Sequence, residues 1–190
     1  MLELSKFLNI FVEIENDNMI LEDISCDIIP GISEGKAKYL SECAVSCLER
    51  MGHSSGVQMS CSGVETSSET LSWTTVFDDR LERSTDDLQE ATEHGAECIS
   101  ALFAIEHTPY TIVRRSRKKS GVDYWLGRKG DPLFVYSARL EISGILNDRE
   151  ALTSRKNKKL KQTNQSDDTG LPAFVSIVEF GTPTIEFVKK

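Results

Sequence analysis

The chain has 190 residues, and its 22 basic and 30 acidic side chains give a formal net charge of −8. This length is typical of one domain, and 39% hydrophobic residues are enough for a buried core. The composition therefore excludes a disordered, collagen-like or small disulfide-stabilised protein. No apolar run approaches the roughly 18 residues of a membrane-spanning helix. We expect a soluble, cytoplasmic protein that does not enter the membrane.

Cysteine and histidine give no sign of a metal site or a nucleophilic pair. None of the five cysteines belongs to a Cys-x-x-Cys motif, and no second pair at ligand spacing accompanies Cys43 and Cys47. The three histidines, His53, His94 and His107, are scattered along the chain. We expect the cysteines to be small buried hydrophobic residues in a reducing compartment.

Charge is distributed unevenly between the two halves. Residues 1–110 carry six basic and 21 acidic side chains, a net charge of −15, whereas residues 111–190 carry 16 basic and nine acidic, a net charge of +7. Two basic runs, 114–119 and 155–161, hold much of this excess. Such runs indicate an anionic partner, although a solvated face or the protein's own acidic half would also explain them. The candidate DNA-binding residues are Arg114, Arg115, Arg117, Lys118, Lys119, Arg155, Lys156 and Lys158.

The first 83 residues form an acidic α/β portion in this interpretation. Strands are expected at about 7–14 and 19–24. Apolar residues at helical spacing predict a helix over about 33–51, with Ser33 as its cap. Alternation and a turn rich in Ser and Gly then predict a hairpin over 56–77, with strands at 56–61 and 71–77.

Residues 84–190 follow a clearer order of elements. N-capping residues at 84–87 precede an apolar face that runs to His107 and predicts a helix. The remaining pattern predicts strands at 110–113, 121–127 and 132–145, a basic helix at 148–162, a buried strand at 173–180 and an edge strand at 183–188. The order through residue 180 is α-β-β-β-α-β. The fold class is therefore α+β, with a mixed central sheet in the second portion.

Three carboxylates occupy suggestive places in this order. Glu93 lies in the first helix, Asp123 just inside the second strand, and Glu141 between Leu140 and Ile142 in the third strand. A carboxylate within an apolar strand needs a compensating interaction. Two such groups on neighbouring strands, with a third on a helix, would provide the hard oxygen ligands that Mg²⁺ prefers. Such an ion would serve phosphodiester hydrolysis.

The element order and these acids resemble the PD-(D/E)XK, or restriction-endonuclease-like, nuclease superfamily over roughly residues 85–181. The resemblance implies a restriction-endonuclease-like core with Asp123 and Glu141 as ligands of Mg²⁺ or Mn²⁺. It also implies that Glu93, or Glu97 one turn later, is the auxiliary acid. The chain departs from the family at position 143, where Ser replaces the usual lysine. Another lysine would then have to supply the charge, and the candidates are Lys118, Lys119 and Lys159.

The resemblance implies metal-dependent DNA hydrolysis by a subunit of a bacterial restriction or antiviral defence assembly. DNA would bind the basic half, and an ATPase or other basic partner would bind the acidic half. The alternative is a non-catalytic interaction module, an adaptor or immunity-type protein, that binds a basic partner through its acidic half. Acids held apart, or paired with Arg139 or Arg155, would favour this alternative.

Overall fold

The fold combines one large mixed sheet with helices on both faces. A computed structural model describes residues 18–25, 29–133 and 135–190. Within these residues there are four α-helices, namely α1 (Glu34–Arg50), α2 (Asp79–Ser84), α3 (Leu88–His107) and α4 (Leu152–Gln162). The eight strands are β1 (Asn18–Ile20), β2 (Val57–Gly63), β3 (Ser67–Ser72), β4 (Tyr110–Arg115), β5 (Tyr124–Arg128), β6 (Ala138–Ile145), β7 (Ala173–Glu179) and β8 (Thr184–Lys189).

All eight strands belong to a single sheet in the order β1-β3-β2-β8-β7-β6-β5-β4. The pairs β1–β3, β2–β8 and β6–β7 are parallel, and the other neighbours are antiparallel. This mixed architecture agrees with the predicted α+β class. The strand expected at 7–14 lies outside the described residues. The strand expected at 19–24 is reduced to β1, followed by a 3-10 helix at Leu21–Ser25.

Helix α1 has nearly the predicted bounds because its apolar residues recur on one face. Ser33 is its N-cap residue, although its side chain makes no capping hydrogen bond. The helix ends before Gly52, whose φ of 83° places it in the left-handed region. The buried face packs on α3. Gly95 permits this close approach, because a Cβ there would lie 3.0 Å from the Cα of Ala44.

The predicted hairpin is present, but its second strand lies earlier in the chain than expected. Strand β3 covers Ser67–Ser72 and pairs antiparallel with β2. The segment after Ser72 leaves the sheet, because the Glu22 carboxylate accepts hydrogen bonds from the backbone N–H groups of Thr74 and Thr75. This contact over 52 residues has no signature in the local pattern. The short helix α2, capped by Asp78, was also not predicted.

Elements α3, β4, β5, β6, α4 and β7 occur in the predicted α-β-β-β-α-β order. The Asp87 carboxylate caps α3 by accepting hydrogen bonds from the backbone N–H groups of Gln89 and Glu90. The largest differences from the predicted bounds are at three starts, since β5 begins at Tyr124, β6 only at Ala138 and α4 only at Leu152. Helix α4 forms the crossover between the parallel strands β6 and β7.

Strand β8 is central, so the prediction of an edge strand was wrong. It pairs with β2 on one side and β7 on the other, with Ser60 opposite Thr184 and Val175 opposite Val188. The alternation of apolar and polar residues in β8 is typical of an edge strand. In this structure, however, both faces of β8 are covered. Phe187 packs against Phe103 in the core beneath α3, with 5.3 Å between ring centroids. The portions predicted as 1–83 and 84–190 therefore share one sheet.

Among the residues described, no helix is long and apolar enough to cross a membrane. Four cysteines are free and buried as predicted, and Cys26 lies outside the described residues. Burial raises the pKa of each of the four thiols, which keeps them in the unreactive protonated form. These four are Cys43, Cys47, Cys61 and Cys98.

Candidate active site

A polar cleft opens where β6 extends past its neighbour β5. The two strands pair only from Tyr124 opposite Leu140 to Leu126 opposite Ala138, whereas β6 continues to Ile145. The resulting notch lies between α3 and α4 and holds a cavity of about 260 Å³. The residues that line it are Glu93, Glu97, Arg115, Asp123, Ile142, Ser143, Arg155, Lys158, Lys159 and Gln162.

Asp123 lines this cleft, and the buried Glu141 lies beside it. Asp123 lies one residue before β5 rather than inside it, and its Oδ2 accepts a hydrogen bond of 2.9 Å from the Ile142 backbone N–H. Burial is the main cause that raises the pKa of Asp123. Burial and then the neighbouring Asp123 charge raise the pKa of Glu141 to about 7. Two adjacent carboxyl groups thus resist simultaneous ionisation.

Helix α4 supplies the polar partners of Glu141. Lys159 Nζ lies 2.5 Å from Glu141 Oε1, and Gln162 Nε2 lies 2.7 Å from the same oxygen. Glu141 Oε2 is buried and has no hydrogen-bond partner among the described residues. Lys159 is therefore the candidate lysine that reaches the acids. Lys118 and Lys119 are exposed and do not line the cleft.

Position 143, where a resemblance to PD-(D/E)XK nucleases predicts lysine, is occupied by Ser143, which lies beside an arginine. Ser143 follows Glu141 on the same face of β6, so it also faces α4. Arg155 Nη1 lies 3.3 Å from Ser143 Oγ. Neither Arg139 nor Arg155 forms an ion pair with the two acids among the described residues. Arg139 binds Asp167 instead, with Nη2 3.1 Å from Oδ1.

Both helix acids line the cleft, but only Glu97 is buried. Its Oε1 lies 2.5 Å from Arg115 Nη1, and its Oε2 accepts a hydrogen bond of 2.6 Å from the Tyr124 hydroxyl. Burial alone would raise the pKa of Glu97, but the nearby His94, the hydrogen bond from Tyr124 and the positive charges of Arg115 and Lys36 lower it to about 2. Glu93 is exposed at the mouth of the cleft.

Arg115 links the helix acid to the strand acid. Its Nη2 lies 3.5 Å from Asp123 Oδ1, so one guanidinium contacts Glu97 and Asp123 together. Its planar face covers the ring of Tyr124, with 4.7 Å from Cζ to the ring centroid. Arg115 is therefore held as part of the cleft wall.

The other basic residues differ in their placement. Arg155, Lys158 and Lys159 project from α4 into the cleft. Lys156 points elsewhere and forms an ion pair of 2.9 Å with Glu186 of β8. The remaining members of the first basic run are exposed at the end of β4 and in the turn that follows. These are Arg114, Arg117, Lys118 and Lys119.

A second group of side chains that could hold a metal ion was not predicted from the sequence. Glu69 of β3 and the adjacent Glu106 and His107 of α3 each place one ligand atom within 4.8 Å of the others. Glu69 lies far from Glu106 and His107 in the sequence, so the three residues do not form a recognisable metal-binding motif. The register of β3 and the end of α3 bring them together. We call these three residues the hairpin cluster.

No protein-family model matches this chain, and neither a curated protein nor a solved structure matches it.

Proposed function

We propose that the chain hydrolyses DNA phosphodiesters with Mg²⁺ or Mn²⁺ at the cleft, as its resemblance to the PD-(D/E)XK superfamily implies. The observation that carries this proposal is the Asp123–Glu141 carboxyl pair, in which the buried Glu141 contacts the Lys159 ammonium and Asp123 lines a cleft that also holds basic side chains. Carboxylates, a nearby ammonium and a basic cleft are the groups that phosphodiester cleavage requires.

The acids fit a divalent cation. Burial raises the pKa of both carboxyl groups, the Asp123 charge raises that of Glu141 further, and a cation between them would remove this repulsion. Glu141 Oε2 is buried without a hydrogen-bond partner among the residues described, and Asp123 Oδ1 lies 3.5 Å from Arg115 Nη2. These two oxygens would be the ligands. When bound, Mg²⁺ or Mn²⁺ would supply positive charge to the phosphodiester and help to activate water.

The chain's own residues would position the substrate and assist proton transfer. Lys159 and Gln162 fix the Glu141 carboxylate, and the ammonium can also stabilise negative charge that develops on the phosphate. Arg155 and Lys158 would hold phosphate groups at the mouth of the cleft. Arg155 beside Ser143 would provide the positive charge that a lysine at position 143 would otherwise bring.

The uneven distribution of charge indicates which surface would bind DNA and which would bind a protein partner. DNA would lie against α4 and the first basic run, because the acidic portion that precedes residue 111 would repel it. The same acidic portion would contact a basic protein partner, such as an ATPase subunit of a restriction or antiviral defence assembly.

One observation favours a second function, a non-catalytic binding module. The Arg115 guanidinium contacts Glu97 and Asp123, and Lys159 contacts Glu141, so protein cations already compensate the acids of the cleft. In a module these ion pairs would be structural, and the acidic half would provide the binding surface. Loss of the Asp123 charge would abolish DNA cleavage if the chain is a hydrolase, whereas a binding module has no cleavage activity to lose.

Cleavage assays with three matched variants test the proposed function. Wild type should cleave single- or double-stranded DNA only with Mg²⁺ or Mn²⁺, and Asp123→Asn should lose this activity. Lys159→Ala should lower the rate by about 100- to 1000-fold while binding DNA almost as wild type does, because only stabilisation of the transition state is lost. Glu150→Gln removes an exposed carboxylate outside the cleft and should cleave normally.

Circular dichroism and urea unfolding would establish that each variant is folded. Cleavage assays with RNA of the same sequence would show whether the enzyme distinguishes ribose from deoxyribose. Equal behaviour of wild type and Asp123→Asn under all these conditions, with a basic partner present or absent, would exclude hydrolysis and leave the binding module.

A further inference from the structure

We infer that the hairpin cluster of Glu69, Glu106 and His107 is a Zn²⁺ site that joins the C-terminal end of α3 to the β2–β3 hairpin. This site is separate from the cleft and from the hydrolysis proposed there. One imidazole nitrogen and carboxylate oxygens are ligands that Zn²⁺ commonly takes in proteins.

The first argument is the orientation of His107. Its Nδ1 lies 2.7 Å from Glu65 Oε2, so in the tautomer that donates to Glu65 the Nε2 lone pair points away from this bond. Metal-binding histidines characteristically donate their other ring N–H to a carboxylate in this way. The His107 ring also stacks on Phe103, with 4.1 Å between ring centroids. These two contacts fix the direction of Nε2.

The second argument is the surroundings of that nitrogen. The His107 side chain is 10% exposed, and its buried Nε2 has no hydrogen-bond partner in the part of the chain that the structure describes. It lies 3.2 Å from Oε1 of Glu69, whose side chain is 4% exposed. A lone pair and a carboxylate oxygen repel each other at this distance unless a cation or a proton lies between them.

The third argument is the spacing of the ligand atoms. Zn²⁺ lies about 2.0–2.2 Å from nitrogen and oxygen ligands, so two ligands at the corners of a tetrahedron are about 3.3 Å apart. The Nε2–Oε1 distance of 3.2 Å is close to this value. Glu106 is exposed at the helix end, and its carboxylate oxygen lies within 4.8 Å of the other two ligand atoms. A small rotation of its side chain would complete three protein ligands.

Calorimetric titration of metal-stripped protein with Zn²⁺ tests this site directly. Wild type should bind Zn²⁺ at the hairpin cluster, and His107→Gln and the nearly isosteric Glu69→Gln should lose this binding. Glu65→Ala, a change at an exposed position, should weaken it by about 10- to 100-fold because the histidine loses its orienting partner. Asp123→Asn is the matched control, since it alters only the cleft and should retain the site.

Co²⁺ provides a spectroscopic readout that does not depend on activity. Co²⁺-loaded wild type and Asp123→Asn should show the visible absorption of a four-coordinate ion, and His107→Gln should not. The inference would be overturned if Asp123→Asn abolished Zn²⁺ binding while His107→Gln left it unchanged. It would also be overturned if wild type bound no Zn²⁺ at all. The response of Glu65→Ala decides the case if either buried variant fails to fold.

Discussion

Glu93 and Glu97 lie one turn apart on α3 and show how environment assigns roles to identical side chains. The sequence places both on the same helix face and leaves the choice between them open. In the structure Glu97 is buried against Arg115 and Tyr124, whereas Glu93 remains exposed at the cleft mouth. The Glu97 carboxylate therefore holds Arg115 in place. Glu93 retains the freedom to approach a substrate or an ion in the cleft.

The Glu141 carboxyl should make stability depend on pH in an unusual direction. Its pKa is raised from 4.5 to about 7, so between these values the folded state retains a proton that the unfolded state has lost. Stability should therefore fall as pH rises through this window. One unit of pKa corresponds to about 1.4 kcal/mol. From pH 4.5 to 8 we expect wild type to lose about 3 kcal/mol more than Glu141→Gln, measured by urea unfolding.

Glu150→Gln is the control for this measurement, because it removes a carboxylate that is exposed in the folded state. Its free energy of unfolding should follow wild type across the same pH range. Parallel profiles for wild type and Glu141→Gln would show that the Glu141 carboxyl ionises as it does in the unfolded chain.

At the scale of elements, α4 divides one basic run between two surfaces. Residues 155, 158, 159 and 162 recur at three- and four-residue spacing and project towards the cleft, while Lys156 turns towards β8. The charge of this run was evident in the sequence. Its division was not, because the division depends on how the helix packs on β6 and β7.

The two faces of α4 should differ in their contribution to DNA binding. The double variant Arg155→Ala, Lys158→Ala should weaken binding similarly for all sequences. Its log–log salt slope for double-stranded DNA should fall by nearly two, since each phosphate contact contributes about 0.9. Lys156→Ala should keep the wild-type slope, because this lysine pairs with Glu186. Fluorescence anisotropy across a salt series measures these slopes, and equal slopes for all three proteins would assign the run to solvent.

Local sequence patterns predicted which helices and strands form better than they predicted which elements lie next to one another. The α-β-β-β-α-β order and the placement of Glu141 within a strand followed from apolar spacing, caps and glycines. The strand expected at 71–77 could not be placed correctly, because Glu22 removes its second half from the sheet. The contact of Lys159 with Glu141, and that of His107 with Glu69, arise from tertiary packing alone. Such pairs leave no periodic signal in a sequence.

At the scale of the whole molecule, the second portion depends on the first. The buried face of α3 packs against α1, and β8 requires β2 as its neighbour. A fragment of residues 84–190 should therefore expose this helix face and one edge of β8. We expect it to aggregate or to bind a hydrophobic dye without a cooperative thermal transition. A soluble fragment with native near-ultraviolet circular dichroism would show that the second portion folds alone.

The central position of β8 also has a consequence for the rate of folding. Residues 60 and 184 must meet before the two halves of the sheet join, and β1, β3 and β2 are closed into a common sheet only by this contact. Chain entropy makes contacts at such sequence separation slow to form. Until they form, β2 and β8 each present an open edge to other copies of the chain. The topology that assembles the cleft therefore also makes the protein vulnerable to intermolecular strand pairing while it folds.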